Sequence, residues 1–201
     1  MSEQRAALGF APHSGWAAVV GVGELDGRPR VLLRERIEMA DPADAEAKQP
    51  YHAIEDLPLD EAAKRLAAYA ATAESMAWAA LRGIGDQLAQ DGHRVTGLGI
   101  LDSAGRKGGS LSAILASHAL IHTADGDHFR DAITSAAARC RWAVSRVRAG
   151  ELDGEASASL GTPIARLQEV VKGLGREVGP PWGADQKAAA LVAWLVLKRA
   201  R

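Results

Sequence analysis

The sequence predicts an α/β protein with a mixed β-sheet that opens with an antiparallel hairpin and is flanked by helices. The first observation is the Asp26-Gly27 turn between two apolar runs, a strong hairpin signal. The second is that strand-like runs then alternate with long stretches of helical periodicity. At 201 residues and 47% hydrophobic, the chain can bury one sizeable core, so we expect residues 1–201 to form a single domain.

The predicted hairpin lies near the N-terminus. Its first strand covers residues 8–22, with a short polar loop at His13 and Ser14, and residues 30–39 alternate in character as an antiparallel partner strand would. Residues 41–58 are rich in Ala, Asp, Glu and Pro without a sustained period. This composition predicts a connecting loop with room for one short helical turn.

The rest of the chain alternates between helix and strand patterns. Small and apolar residues recur at three- and four-residue steps from 60 to 91, which predicts a long helix. Glycines alternate with apolar residues in VTGLGIL at 95–101, as expected for a buried parallel strand. The remaining predicted elements are one interrupted helix or two helices at 111–141, a strand at 142–147, a loop at 150–161, and helices at 164–174 and 185–198.

Charge and cysteine content exclude several classes of protein. The 24 basic and 25 acidic side chains leave a formal net charge of −1, so any nucleic-acid site must be a local patch. The single cysteine, Cys140, excludes a disulfide framework and cysteine-rich zinc motifs. The N-terminus has no apolar signal-peptide core, and the apolar run at 188–197 is too short to span a bilayer. We expect a cytoplasmic protein with no membrane partner, and the alanine- and arginine-rich composition indicates bacterial origin.

Three segments resemble the RuvC-type Holliday-junction resolvases of the ribonuclease H-like superfamily. LGFAPHSGWAAVVGVGELDG, which begins at Leu8, resembles their opening strand of the form GIDPGS followed by a DG turn. VTGLGILDS resembles their central acidic strand, and WGADQKAAALVAW resembles their last helix. A hairpin followed by helix and strand units is also the ribonuclease H-like order, so the resemblance implies that fold.

The resemblance implies a nuclease, since those enzymes cleave phosphodiesters with two divalent cations held by carboxylates. The ligand positions match only in part. The family's first-strand aspartate falls on Ala11, its central glutamate on Asp102, its last-helix aspartate on Asp185, and a histidine that some members carry falls on Trp182. Loss of the first-strand carboxylate removes the ligand that both metals share.

Asp102 and Asp185 are nevertheless candidate catalytic and metal-binding residues. Together they can hold one Mg²⁺ or Mn²⁺, because Mg²⁺ keeps several waters and accepts as few as one or two carboxylates. The alternative is that Asp102 is a turn residue at a strand end and that Asp185 caps a helix, where the helix dipole favours a carboxylate.

A second candidate site lies in SHALIHTADGDHFRD at 117–131. His118, His122 and Asp125 share one face of the predicted helix. Two imidazoles one turn apart can bind a transition metal or act as acid and base, and the carboxylate can supply a third ligand or orient a ring. The metalloprotease motif HExxH is absent, since Ala119 stands where its glutamate would be. The alternative is that the histidines are hydrogen-bonded core or interface residues.

Two small loops are candidate phosphate-binding sites. The loop SAGRKGGS joins a strand to a helix, so its backbone N–H groups can cradle a phosphate at Gly105, with Arg106 and Lys107 adding charge. His13 and Ser14 belong to a similar loop at the same end of the predicted sheet, where α/β proteins bind ligands. The alternative is that the glycines only form turns.

A local basic patch is predicted around the strand at 142–147. It consists of Arg139, Arg141, Arg146 and Arg148, and it would bind nucleic acid. Acidic residues follow directly, so an edge strand guarded by charge is the alternative. The alanine-rich faces of the two long helices predict a homodimer, which also suits the family resemblance.

Three functions are consistent with these features. The favoured one is a diverged RuvC-like domain that binds or processes nucleic acid with an incomplete divalent-metal site. The others are a non-catalytic scaffold or interaction protein, and a small enzyme that binds a phosphate ligand and uses histidines near the glycine-rich loops.

Overall fold

Five β-strands form one mixed sheet in the computed structural model, which describes residues 4–103, 105 and 108–200. The strands are β1 (Gln4–His13), β2 (Trp16–Leu25), β3 (Arg28–Glu38), β4 (His93–Asp102) and β5 (Val144–Arg148). Their order across the sheet is β3-β2-β1-β4-β5. The first three strands are antiparallel, whereas β4 runs parallel to β1 and β5 runs parallel to β4. The predicted mixed α/β sheet is confirmed.

Helices cover both faces of this sheet. They are α1 (Leu59–Gln90), α2 (Leu111–Leu115), α3 (His118–Arg139), α4 (Leu152–Leu160), α5 (Ile164–Val178) and α6 (Ala184–Arg199). One face packs against α1 and α3 and the other against α6, with α4 and α5 on the outer side of α6. The segment predicted as a connecting loop contains the 3₁₀ helices Ala45–Lys48 and His52–Ile54.

The short polar loop predicted at His13 and Ser14 is a tight hairpin turn, a reversal of the chain that the sequence did not predict. A tight turn at Ser14 and Gly15 divides the predicted first strand into β1 and β2, and His13 pairs with Trp16 across it. Gly15 adopts a φ of +83°, a conformation that glycine enters without steric cost. The Gly15 carbonyl oxygen accepts hydrogen bonds of 2.7 and 3.1 Å from the two backbone N–H groups that follow β3. The turn is therefore fixed to the neighbouring strand.

Helix α4 replaces the loop predicted at 150–161. Its glycine and serine residues are poor helix formers in isolation. Leu152 and Ala156 are nevertheless buried in the core that surrounds α6, and Gly161 ends the helix in the left-handed conformation. The helix forms because tertiary packing outweighs local propensity.

The two faces of the sheet bury different residues because side chains alternate along a strand. On β1, Phe10 faces α1 and α3, whereas Ala11 faces α6. On β4, Ile100 faces α1 and α3, whereas Leu101 faces α6. This alternation assigns each residue at the carboxyl ends of β1 and β4 to one face of the sheet.

Helix α6 is a core helix, which explains its continuous apolar run. Eight of its residues, at 189–193 and 195–197, are buried between the sheet and the outer helices. Gly9 and Gly99 allow this close approach, since a Cβ added at Gly9 would lie 1.9 Å from the carbonyl oxygen of Ala189. None of the helices in the described part of the chain is long and apolar enough to cross a membrane.

Candidate functional site

Ala11 occupies the position where the family resemblance places the first-strand carboxylate. Its side chain is buried on the α6 face of the sheet, in a core that includes Leu101 and Leu191. The position contributes apolar packing and offers no atom that can bind a metal.

Asp102 lies at the end of β4 and points to the face of the sheet opposite Ala11. Its Oδ2 atom lies 3.3 Å from Nε of Arg146 on β5, and its Oδ1 atom lies 3.6 Å from Nε of Arg130 on α3. The preceding residue, Leu101, faces α6. The strand pleat therefore places a leucine, and not a carboxylate, on the same face as Ala11.

Two further aspartates complete an ion-pair network around Asp102. Arg146 donates through Nη1 to Asp131 (2.7 Å), and its Nη2 lies 3.6 Å from Asp127. Arg130 Nη1 lies 3.7 Å from the same Asp127 oxygen. Burial lowers the pKa of Arg146, but the hydrogen bond to Asp131 and the three carboxylate charges outweigh it, so the net pKa is raised. Fixed positive charges thus stand beside Asp102, where a metal ion would have to bind.

Asp185 lies on the other face of the sheet, at the start of α6. Its carboxylate is 3.1 Å from Nε2 of His13. The His13 ring stacks on Trp16 with 4.2 Å between ring centroids, and the Arg36 guanidinium carbon lies 3.9 Å from the Trp16 ring centroid. We call His13, Trp16 and Arg36 the Trp16 surface. Asp185 lies beside this surface, against His13, and does not meet Asp102.

These positions do not fit a pair of divalent cations. Two-metal catalysis needs several carboxylates that converge on both ions. Asp102 and Asp185 instead lie on opposite faces of the sheet, one engaged by arginines and the other by His13. The geometry does not support the shared Mg²⁺ or Mn²⁺ site expected from the sequence.

Trp182, which stands where some family members carry a histidine, has a structural role. Its indole N–H donates to the carbonyl oxygen of Val171 on α5 (2.9 Å). The ring packs against Gly175, where an added Cβ would lie 2.3 Å from it. Trp182 therefore anchors the chain before α6 to α5.

The two loops predicted to bind phosphate contact different helices. Gly105 packs against Thr123 of α3, because an added Cβ would lie 2.6 Å from the threonine hydroxyl oxygen. His13 contacts α6 through Asp185, and Ser14 is exposed in the tight turn. Arg106 and Lys107 lie outside the described residues, so their contribution to a phosphate site stays a prediction.

The predicted basic patch is neutralised in part. Arg146 lies in the ion-pair network, and Arg148 Nη1 is 3.1 Å from the Glu151 carboxylate. Arg139 and Arg141 are exposed at the end of α3 and in the turn that follows. The four arginines therefore do not form one free cationic surface, and the alternative of an edge strand with paired charges describes this region better.

The histidines of α3 meet a third histidine from the connecting segment. Nε2 of His118 and Nε2 of His122 are 3.0 Å apart, consistent with their spacing of one helical turn. The ring centroid of His52 lies 4.6 Å from that of His122 and 5.5 Å from that of His118. One ligand atom from each residue lies within 4.8 Å of the others, and within the described residues no other group of three or more His, Cys, Asp or Glu converges in this way.

Asp125 orients this cluster. The residue is 3% exposed. Its carboxylate accepts a hydrogen bond from Nδ1 of His52 and another from the Tyr51 backbone N–H at 2.7 Å. Asp125 thus orients an imidazole ring, one of the two roles that its position on α3 predicts. His52 was missed by sequence reasoning because its segment has no helical or strand period.

His128, further along α3, makes stability depend on pH. Burial lowers its pKa below the ordinary value of about 6.5, outweighing the opposing effect of Asp125. Its Nε2 atom is buried without a hydrogen-bond partner among the described residues, so an added proton would be unsatisfied.

His128 binds a proton more tightly in the unfolded chain than in the folded chain. Its contribution to the free energy of unfolding is therefore fully present above about pH 6.5 and is lost as the pH falls through the lower folded-state pKa. We expect His128→Gln to flatten the decline in unfolding free energy between about pH 7 and pH 5, measured by urea denaturation. An unchanged pH profile would contradict this assignment.

The sheet order and flanking helices define an α/β protein with the RuvC-like, ribonuclease H-like fold. Two solved structures of RuvC from Thermus thermophilus are similar to the chain, one of RuvC itself (TM-score 0.53, 12% identity) and one in complex with a Holliday junction substrate (TM-score 0.52, 13% identity). Each match covers 98% of this chain and 95% of the RuvC chain. No family model and no curated protein matches the sequence. The similarity confirms the predicted fold and, at this identity, establishes the fold alone.

Proposed function

We propose that this chain binds nucleic acid without cleaving it, through the Trp16 surface at the carboxyl end of β1. A protein with the same fold, T. thermophilus RuvC, is solved in complex with a Holliday junction substrate. This supports nucleic acid as the class of ligand. The observation that carries the proposal is the stack of His13, Trp16 and Arg36. This stack lies at the carboxyl end of β1, the end of the sheet at which α/β proteins bind ligands.

The residues at the family's metal positions support binding without cleavage. Ala11 and Leu101 form apolar packing on the α6 face, and Asp102 is held on the opposite face by Arg130 and Arg146. Of the positions where the family carries its metal ligands, only Asp185 would then offer a carboxylate to a phosphodiester bound near α6. One carboxylate cannot clamp both the attacking and the leaving oxygen through two metals.

The chemistry of the Trp16 surface suits unpaired bases. The side chains of His13 and Arg36 are 41% and 54% exposed, so a base can extend the aromatic stack while the guanidinium contacts a phosphate. The Gly15 turn fixes the strands that carry these side chains.

The Trp16 surface carries no excess of positive charge. Glu38 lies 2.5 Å from Arg36, and Asp185 pairs with His13. Binding should therefore rely on stacking more than on counterion release. We expect a shallow salt dependence, since a single-stranded ligand contributes a slope of only about −0.7 per phosphate neutralised.

We expect fluorescence anisotropy to detect binding of labelled single-stranded and four-way-junction DNA, with loss of affinity in two variants. Trp16→Leu keeps an apolar side chain against the core and removes the stacking ring, so it should weaken binding by about 1–3 kcal/mol, roughly 5- to 150-fold in Kd. Arg36→Gln should weaken binding and reduce the salt slope.

Arg82→Gln is the matched control. Arg82 also lies over a tryptophan, Trp78, at 5.6 Å, and it pairs with Asp86 at 3.8 Å, but it is on α1 across the sheet. The control should bind as tightly as the wild type. Absence of DNA binding, or equal affinities for wild type and Trp16→Leu, would overturn the proposal and favour a protein-interaction role.

A further inference from the structure

We propose that His52, His118 and His122 form a binding site for a transition-metal ion of the zinc class. This inference is independent of nucleic-acid binding, because the cluster lies between α3 and the connecting segment and shares no residue with the Trp16 surface. The cluster brings His52 together with two histidines that lie far from it in the sequence, and the group is accessible to solvent.

The spacing of the ring nitrogens suits a single ion. One nitrogen from each histidine lies within 4.8 Å of the other two, and the two Nε2 atoms of His118 and His122 are 3.0 Å apart. In a tetrahedral zinc site with Zn–N bonds of about 2.0–2.1 Å, ligand nitrogens are separated by about 3.4 Å. Small side-chain adjustments therefore suffice, and the metal would replace the hydrogen bond between the Nε2 atoms of His118 and His122.

The buried carboxylate of Asp125 distinguishes this cluster from three surface histidines that meet by chance. It accepts the hydrogen bond from Nδ1 of His52, which assigns the proton to Nδ1 and leaves the lone pair of Nε2 free for a metal. The second Asp125 oxygen is held by the Tyr51 backbone N–H (2.7 Å). A carboxylate behind a metal-binding histidine fixes the ring and makes it a stronger ligand.

The donor set selects the class of ion. Three neutral imidazole nitrogens suit Zn²⁺, Co²⁺, Ni²⁺ or Cu²⁺, whereas Mg²⁺ and Ca²⁺ prefer oxygen ligands. His118 and His122 are exposed, so the ion can enter from solvent, and three protein ligands leave a fourth position for water or another small ligand.

Metal binding should fasten the connecting segment to α3. His52 belongs to the 3₁₀ helix His52–Ile54, whereas the other two ligands belong to α3. An ion that bridges them binds the folded chain in preference to the unfolded one, so it raises the temperature of unfolding, and the stabilisation grows with the logarithm of the metal concentration above Kd.

The test is calorimetry with Zn²⁺ on the full chain, prepared without a polyhistidine tag and stripped with chelator, together with the visible spectrum of the Co²⁺ form. We expect one ion per chain, an increase in Tm, and Co²⁺ absorption typical of tetrahedral coordination. His122→Ala should abolish all three signals, and circular dichroism should show that this exposed substitution leaves the fold intact. Asp125→Asn should weaken Zn²⁺ binding by about 10- to 100-fold.

His13→Ala is the control, since His13 is an exposed histidine outside the cluster. It should bind Zn²⁺ like the wild type. No Zn²⁺ binding, or binding that survives His122→Ala, would overturn the proposal. Equal losses of Zn²⁺ affinity in His13→Ala and His122→Ala would also overturn the proposal, because they would indicate adventitious Zn²⁺ binding by surface histidines.

Discussion

Replacing Arg146 with methionine is expected to lower the free energy of unfolding by about 2–4 kcal/mol. The substitution keeps an unbranched apolar stem and removes the guanidinium that contacts Asp102, Asp127 and Asp131. Asp102 and Asp127 have side chains only 15% and 16% exposed, so they would lose a partner that water cannot fully replace. Urea denaturation of both proteins measures the difference.

Arg148→Met provides the control for this prediction. Arg148 lies on the same strand and pairs with Glu151 at 3.1 Å, but its side chain is 66% exposed. An exposed pair contributes little, so the control should change the free energy by no more than about 0.5–1 kcal/mol. Similar losses of unfolding free energy in Arg146→Met and Arg148→Met would mean that the network around Asp102 stabilises the fold no more than an exposed ion pair does.

Gly9→Val is expected to cost about 3 kcal/mol or more, or to prevent folding. An added Cβ would lie 1.9 Å from the carbonyl oxygen of Ala189 and 2.9 Å from the backbone nitrogen of Ala193, so α6 would have to move away from β1. Backbone atoms cannot rotate away as a side chain would. Thermal denaturation followed by circular dichroism measures the effect.

Gly83→Ala separates this steric effect from the general effect of replacing glycine. Gly83 lies in α1, and nothing within 4 Å would meet an added Cβ. Alanine there should raise stability by about 0.5–1 kcal/mol, because it favours the helix. Wild-type stability in Gly9→Val would contradict the close contact between β1 and α6.

The sequence predicted the helices and strands whose hydrophobic periodicity extends over many residues. The periodicity from 60 to 91 and at 185–198 placed α1 and α6 to within one residue at each end. The loop at His13 and Ser14 was predicted, but the reversal of the chain there was not, because so short a loop also fits inside one continuous strand. Helix α4 was missed because its stability comes from packing around α6 and not from its own residues.

The candidate sites were harder to predict because they depend on which way side chains face. The resemblance matched Asp102 to an acidic residue by chemical type, but one step along a strand reverses the side-chain direction, and Leu101 takes the α6 face. Spacing on α3 brought His118 and His122 together. Local sequence gave no indication that His52 would join them, because this contact depends on the path of the connecting segment.

The proposed function, nucleic-acid binding without cleavage, rests on the apolar packing of Ala11 and Leu101 and on the contacts of Asp102 with two arginines. The most direct test incubates labelled four-way-junction DNA with the protein in Mg²⁺ or Mn²⁺ and resolves the strands on a denaturing gel. We expect intact DNA strands under conditions in which anisotropy shows binding. Metal-dependent cleavage that Asp185→Asn abolishes would contradict it.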